Sequence, residues 1–517
     1  MNVARFVPAP LASWERHLNR GVWFVHSLLA FIIAYYTTNG EVRPWIGHWL
    51  HDSSYLPDQK IDFADSEWWF YKKNIQRILV ALGCHSLVFT LFLQSNTNAL
   101  RLLAFLAQLG LHVYLTSIPC IVTCAALTIV TIALVIIFRQ EAIAWVVCIA
   151  FVLKCSAIAP FSNNSFVYYL EFNMYAYTCL KIINVAIHLC RRKADSQTNH
   201  SIADIISYLL YLPFSITLIV LYEDFKKQLD NRKAANRWFY LTQSNLFFAI
   251  RLAFWFLVLD LLMHFIYVNA IYSSPDTLLI GMNSYQLMSI SYVVGQYFHI
   301  KYVVIFGIPA LFAKIDGMQP PPGPICVSRV SRYSRMWRHF DAGLYQFLKN
   351  QVYIPLMSSV AGWKAVVLRL VAMVNVFMIV LVWHGFDSQY IFWVSLSAFE
   401  LMVEWTGGAI WETERFQQLR TSIGERWTRR LVSLGMLGTV IPGIFGVFCF
   451  LGKTGIGITV IRRVLLDGFV EFFSGGIHLI NWLPSPGIIF IHMLTLGYFF
   501  NGYTLEYDLA AKQLKRD

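Results

Sequence analysis

The sequence predicts an all-α polytopic membrane protein, on three observations. Apolar residues make up 57% of the 517, and charged residues only 14%, against about 25% charged in soluble domains. Mean hydropathy is +0.54. The stretch Pro119–Phe138 carries no charge and has roughly the 20-residue length that crosses a bilayer as a helix. Hydrophobic segments recur along the chain without a long polar linker, so residues 1–517 read as one helical domain.

Charge and cysteine content narrow the class further. A formal charge of +12 in an apolar chain reflects basic cytosolic loops rather than nucleic-acid binding. The nine cysteines show no metal-ligand spacing. Cys120 and Cys124, four apart in an apolar run, read as packing residues.

The elements follow in order, with Lys and Arg marking the cytosolic side. Arg5, Arg16 and Arg20 place the amino terminus in the cytosol. The run Gly21–Thr37 lacks the small-residue cleavage site of a signal peptide and reads as the first span. Glu41, Asp52, Asp58, Asp62, Asp65 and Glu67 then make an acidic loop suited to the lumen. Spans near 75–93, 100–118, 119–138, 142–160 and 165–190 lead back to the cytosol at Arg191-Arg192-Lys193. The segment Asp204–Tyr222 is followed by Lys226, Lys227, Arg232, Lys233 and Arg237, so both of its flanks are cytosolic. One crossing cannot satisfy that, and Pro213 removes a helix hydrogen bond. A re-entrant helical hairpin buried in protein is predicted there.

Residues 246–270 cross to a luminal loop, Ile271–Ser284, without Lys or Arg. Residues 285–312 return to a long basic loop, 313–364, and 365–383 cross again to bring His384 near the lumen. Segment 390–410 leads to Arg415, Arg420, Arg426, Arg429 and Arg430. Spans near 431–451 and 488–505 leave Lys512, Lys515 and Arg516 in the cytosol. The expectation is about ten to twelve crossing helices, with both termini cytosolic. Asp341 then enters from the cytosolic side and His384 from the luminal side.

Several residues carry candidate chemistry. The run Ala365–Val382 has Arg369 as its only charge and ends at Trp383-His384-Gly385. An ionisable side chain at that depth is costly and usually faces a cavity or substrate path. An imidazole there suits general-base work near neutral pH. Asp341 closes the patterned stretch from Met336 and is the candidate partner acid. Arg329, Arg332, Arg335 and Arg338 recur every third residue, a helical stripe suited to phosphate oxygens or to lipid headgroups. The three consecutive prolines Pro320-Pro321-Pro322 enforce extended backbone leading to Cys326, a lone cysteine that reads either as an inert thiol or as a thiolate offered as an axial haem ligand. Rival constellations are Asp260 with His264, Lys301, Glu400 and Glu404, and His384 with Asp387.

The strings Lys301–Leu311, Cys326-Val327-Ser328, Met336–Leu344, Val352-Tyr353-Ile354-Pro355 and Trp383-His384-Gly385 resemble the Hedgehog acyltransferase family of the membrane-bound O-acyltransferase superfamily. Ala270–Ser274, Asp62–Asp65 and Glu67-Trp68 are similar to it too. The likeness covers about residues 60–510, with the catalytic core near 285–410. It implies the membrane-bound O-acyltransferase fold, with re-entrant segments around a central tunnel. It also implies transfer of palmitate from palmitoyl-CoA to the amino-terminal cysteine of a secreted signalling protein, in the endoplasmic reticulum or Golgi membrane. His384 and Asp341 match the family's catalytic pair. Arg335, Trp337, Arg338 and His339 are expected to meet the acyl-CoA, and Cys326 the haem iron. Expected partners are therefore a long-chain acyl-CoA, a protein with an amino-terminal cysteine, and membrane lipids, with no nucleic acid.

Three departures bear on the substrates. Phe386 and Val447 stand where the family shows glycine and asparagine, and Ser215-Ile216-Thr217 replaces an Asn-Gly-Pro. Other functions compatible with the residues are acyl transfer to a lipid or protein hydroxyl, a non-catalytic relative that regulates acylation, and a transporter. A non-catalytic protein has no need to keep both His384 and Asp341.

Overall fold

The computed structural model describes residues 10–94, 97–191, 202–235, 238–357, 362–452, 455–474, 479–480 and 483–513. Arg5, Arg192, Lys193, Arg237, Lys515 and Arg516 lie outside the described residues, as does the side chain of Lys512. Among the described residues, nine helices are long and apolar enough to cross a membrane, from Ser13–Asn39 to Pro486–Asp508. Three more helices match expected spans: the shorter apolar Ala142–Ile158, and the more polar Ser165–Arg191 and Ser388–Trp411. Helices close their backbone hydrogen bonds internally, as a chain in hydrocarbon must. Four of the crossing helices begin at a polar side chain that satisfies an open N–H of the first turn. Thr97, Ser117, Thr242 and Asn283 each accept a backbone N–H of the following turn, and Asn283 forms a reciprocal capping box with Gln286. Leu103, Ile129, Ile137 and Leu257 are exposed on outer faces, the arrangement expected against lipid.

The centre is the 32-residue helix Ser284–Ile315, packed between Ser13–Asn39 and Gln243–Leu262. One contiguous apolar core runs through the molecule and includes residues from Ala34 to Phe500. On the side that the charge pattern assigns to the lumen, strands Leu50–Asp52 and Lys60–Asp62 form an antiparallel hairpin. The Asp62 carboxylate fastens it, accepting the N–H groups of Ala64 at 3.1 Å and Ala270 at 3.0 Å.

Two expectations need correction. The Asp204–Tyr222 segment is buried and doubles back, Asp204 at its start pairing with Lys226 and Lys233 just beyond its end, but it is not a helical hairpin. Helix Ile202–Leu210 gives way to a short 3₁₀ turn, Leu212–Phe214, and then to buried non-helical backbone through Val220. Pro213 supplies no donor, so nearby carbonyls must find one elsewhere. Lys181 donates to the carbonyls of Leu209 and Tyr211 at 3.0 and 3.3 Å and to the Ser215 hydroxyl at 2.8 Å. Tyr208 donates to the Val220 carbonyl at 2.8 Å.

The arginine stripe is the second. Only Tyr333–His339 is α-helical there, so four arginines at every third position never share one helix. Arg332 and Arg335 both pair with Asp508 of the last helix, and Arg329 donates to the Tyr507 hydroxyl at 2.5 Å. Three of the four guanidiniums therefore fasten the 326–339 segment to the carboxy-terminal helix, and of these Arg332 also lines the cavity described below.

Candidate active site

The 313–364 segment leaves the central helix as extended chain through its prolines, makes the 3₁₀ turn Val327–Arg329, and folds back into the bundle as short helices. Asp341 sits between two of them. As N-cap of Ala342–Phe347 it accepts the Leu344 N–H at 2.9 Å. The segment outside the spans thereby places one carboxylate inside the protein. Burial pushes that carboxyl up to about 6, against the pull of the Leu344 and Gly343 N–H groups. Gly343 makes the placement feasible, because a Cβ there would come within 2.5 Å of the Ile219 carbonyl oxygen in the re-entrant segment.

His384 is the last residue of Trp363–His384. The chain leaves that helix through Gly385 at φ +102°, a conformation that L side chains rarely adopt. The imidazole is walled by aromatic rings: Trp393 and Phe450 meet it edge-on at 5.5 and 5.2 Å, and Tyr390 lies 6.0 Å away. No hydrogen bond holds either ring nitrogen among the described residues. Such a ring is oriented by packing and keeps its lone pair for whatever enters beside it.

His384 and Asp341 both line one cavity of about 1080 Å³, at the top of the roughly 300–1,000 Å³ range of small-molecule sites. Its wall draws on the first helix at Trp23, on the last at Phe500, and on the Ser165–Arg191 helix at Tyr169 and Tyr177. Trp337 lines it as well, stacked on Trp393 at 5.4 Å with the planes 22° apart. Arg338 reaches it with its guanidinium over the Tyr345 ring at 5.8 Å. Of the four residues expected at the acyl-CoA, these two are at the cavity and two are not. Arg335 is committed to Asp508, and the backbone carbonyl of His339 accepts the Ile325 N–H at 3.0 Å. Cys326 is half-buried as the residue before the 3₁₀ turn, next to the cavity-lining Val327 and Ser328. No group of three or more His, Cys, Asp and Glu residues that would hold a metal ion occurs among the described residues.

Of the rival constellations, Asp260 with His264 and Glu404 resolve into structural partners, whereas the Glu400 carboxylate is buried without a hydrogen-bond partner among the described residues. Asp260 pairs with Lys72, while His264 bonds the Asp260 carbonyl at 2.7 Å and Ser53 at 3.0 Å. Glu404 accepts the N–H groups of Tyr333 and Ser334, and Glu400 lies buried against Gly443. Asp387 stands at the N-cap of Ser388–Trp411 without a side-chain capping bond.

Sequence reasoning missed several wall residues, among them Glu67, Tyr169, Asn173 and Tyr177. Each comes from an element remote in sequence from His384, and only Glu67 carried a signal, as part of an acidic loop and of the Glu67-Trp68 string that resembles the family. Of the three departures from the expected family pattern, two reach the cavity wall, through Ile216 and Thr217 and through Val447, while Ser215 is buried against Lys181 and Phe386 is exposed.

Comparison with known proteins agrees with this architecture. The chain is 30% identical over 314 residues to the mouse (Mus musculus) protein-cysteine N-palmitoyltransferase HHAT, covering 58% of this chain and 61% of that protein. It is 28% identical over 288 residues to the Drosophila melanogaster protein-cysteine N-palmitoyltransferase Rasp, covering 54% and 55%. To the mouse protein-cysteine N-palmitoyltransferase HHAT-like protein it is 26% identical over 310 residues, covering 57% of each. The chain thus spans somewhat more than half the length of these relatives. Residues 109–422 match the MBOAT, membrane-bound O-acyltransferase family, a stretch that holds Asp341, His384 and most of the cavity wall. With the match extending over more than half of its length, the chain belongs to the membrane-bound O-acyltransferase family.

Proposed function

We propose that this protein transfers a palmitoyl group from palmitoyl-CoA to the amino-terminal cysteine amine of a secreted, Hedgehog-like signalling protein, working in the endoplasmic reticulum or Golgi membrane. The observation that carries the proposal is the single cavity on which Asp341, from the segment outside the spans, and His384, from a span end, converge. A thioester is already activated, so the protein's work is alignment and proton removal. Alignment alone supplies several kcal/mol of barrier lowering, and a positioned base adds about 10²–10⁴-fold.

In the proposed reaction the acceptor nitrogen attacks the thioester carbonyl, and His384 takes the proton that the nitrogen sheds. The carbon–sulfur bond then breaks, leaving an amide and coenzyme A, whose sulfur recovers a proton. Trp337 and Arg338 face the donor, and Asp341 sets the electrostatic field around the reacting carbonyl. The domain is proposed to act as one unit, with both chain ends in the cytosol.

Purified protein incubated with labelled palmitoyl-CoA and a peptide beginning with cysteine should give product that survives hydroxylamine, as an amide does. Label lost to hydroxylamine, or label appearing on a peptide serine or a lipid hydroxyl, would reject the amine-acceptor reading. His384→Ala should lower the rate by about 10²–10⁴-fold, and transfer at the wild-type rate would end the base assignment. Haem ligation through Cys326 is part of the proposal as a structural role, with no step of the transfer routed through it. The half-buried thiol meets the minimum for an axial ligand. A Soret band in wild-type protein that Cys326→Ala abolishes would support it, and the lack of such a band in wild type would remove it.

A further inference from the structure

Lys301, inside the central helix, is paired on the luminal side with two carboxylates at once: Asp65 at 2.8 Å and Glu67 at 2.8 Å. No other cation pairs with either carboxylate among the described residues. One ammonium shared by two carboxylates leaves the cluster with a net negative charge. Asp65 is turned to its own helix, where it caps Ser66–Lys73 by accepting the Trp68 N–H at 3.1 Å. Glu67 instead lines the reaction cavity.

The surroundings of Glu67 hold it in that place. The Tyr302 hydroxyl donates to both of its oxygens, at 2.9 and 3.1 Å, and the Tyr169 hydroxyl to one at 3.2 Å. Tyr177, on the same wall, stands within electrostatic range of both Glu67 and Asp341, and its ring meets Trp383 edge-on at 5.3 Å. The uncompensated charge is therefore close to the catalytic pair, and it is supplied by the acidic loop assigned to the lumen. A neutral lipid or hydroxyl acceptor has no use for such a charge. An α-amino group, with an ordinary pKa of about 8, arrives mostly as an ammonium at neutral pH.

We infer that Glu67, braced by Lys301, Tyr169 and Tyr302, receives the positively charged amino terminus of the acceptor and positions it; the ammonium releases one proton to solvent to become the nucleophilic amine, and His384 takes the second as the nitrogen attacks. This rests on the amine-acceptor reading above and deepens it: Glu67 is a positioning residue that selects amines over hydroxyls. The groups facing Glu67 are Lys301, Asp65, Tyr169, Tyr177 and Tyr302, and none of the last three carries charge at neutral pH.

The test compares full-length wild type, Glu67→Gln and Glu67→Asp with palmitoyl-CoA and a cysteine-initiated peptide. Glu67→Gln should raise the peptide KM about tenfold or more, the scale of one charge-assisted contact, with the palmitoyl-CoA KM within about twofold. Glu67→Asp should restore most of the loss. The ratio of mutant to wild-type peptide KM should fall toward one as pH rises past about 8, where the amine loses its charge. If Glu67→Gln is too unstable to assay, wild type decides the matter. A peptide whose terminal cysteine lacks the amino group should inhibit at least about tenfold more weakly than the free-amine peptide. An unchanged peptide KM, equal effects on both substrates, a pH-independent ratio or equal inhibition by the two peptides would overturn the inference. Acylation of a hydroxyl by wild type would instead remove the reading beneath it, so the two failures are distinguishable.

Discussion

Asp341 shows how much a single residue's meaning depends on its surroundings. Its sequence context marked it as a candidate acid, yet its shifted proton affinity follows from burial, which outweighs two backbone N–H contacts and brings the carboxyl up to about 6. The sign is direct: a raised carboxyl holds its proton until pH exceeds about 6, so its negative charge fades as pH falls through that value. If that charge assists transfer, kcat/KM should show an acid limb near pH 6, and Asp341→Asn should be slow and lack the limb. A wild-type profile flat from pH 5 to 7 would contradict this. His384 was legible because histidine at a span end is rare and costly. Glu67 was marked by the acidic loop and the family resemblance but not as a cavity residue, because nothing in an acidic loop tells which carboxylate turns inward.

At the scale of elements, the re-entrant segment and the Asp341 helix are held together by the lack of a side chain. Gly343 presses against the Ile219 carbonyl, where a methyl group would stand 2.5 Å away. Gly343→Ala should therefore separate the two elements, costing about 1–3 kcal/mol as overpacking does, and should slow transfer by moving Asp341. Gly110→Ala, with open space at its Cβ position, is the control. Thermal denaturation in detergent should lower the midpoint of the first variant alone. The expectation of a helical hairpin here failed for a physical reason. Charge on both flanks reveals that a segment returns, but not whether a buried lysine will satisfy the carbonyls that Pro213 leaves open.

At the scale of the molecule, three of the four arginines of the sequence stripe join distant parts of the chain. Arg332 and Arg335 share Asp508, whose side chain is 7% exposed. Removing one member of a buried ion pair costs about 3–5 kcal/mol. Asp508→Asn should accordingly destabilise the protein and loosen the 326–339 segment that carries Trp337 and Arg338. The measurable outcome is a lower melting midpoint and a raised palmitoyl-CoA KM, with the peptide KM less affected. An unchanged midpoint would show that the ion pairs hold nothing together.

Hydropathy and the distribution of lysine and arginine settled the class, the approximate spans and their order, since lipid and the membrane's two faces act on each segment separately. The end of an apolar run marked His384, and the patterned stretch from Met336 with its family resemblance marked Asp341. The tertiary structure alone decided that both reach one cavity, that Glu67 joins them, and that three arginines are spent on the last helix. Those are relations between segments far apart in the chain, fixed by packing and by charge pairing across the bundle, and no local pattern of residues encodes them.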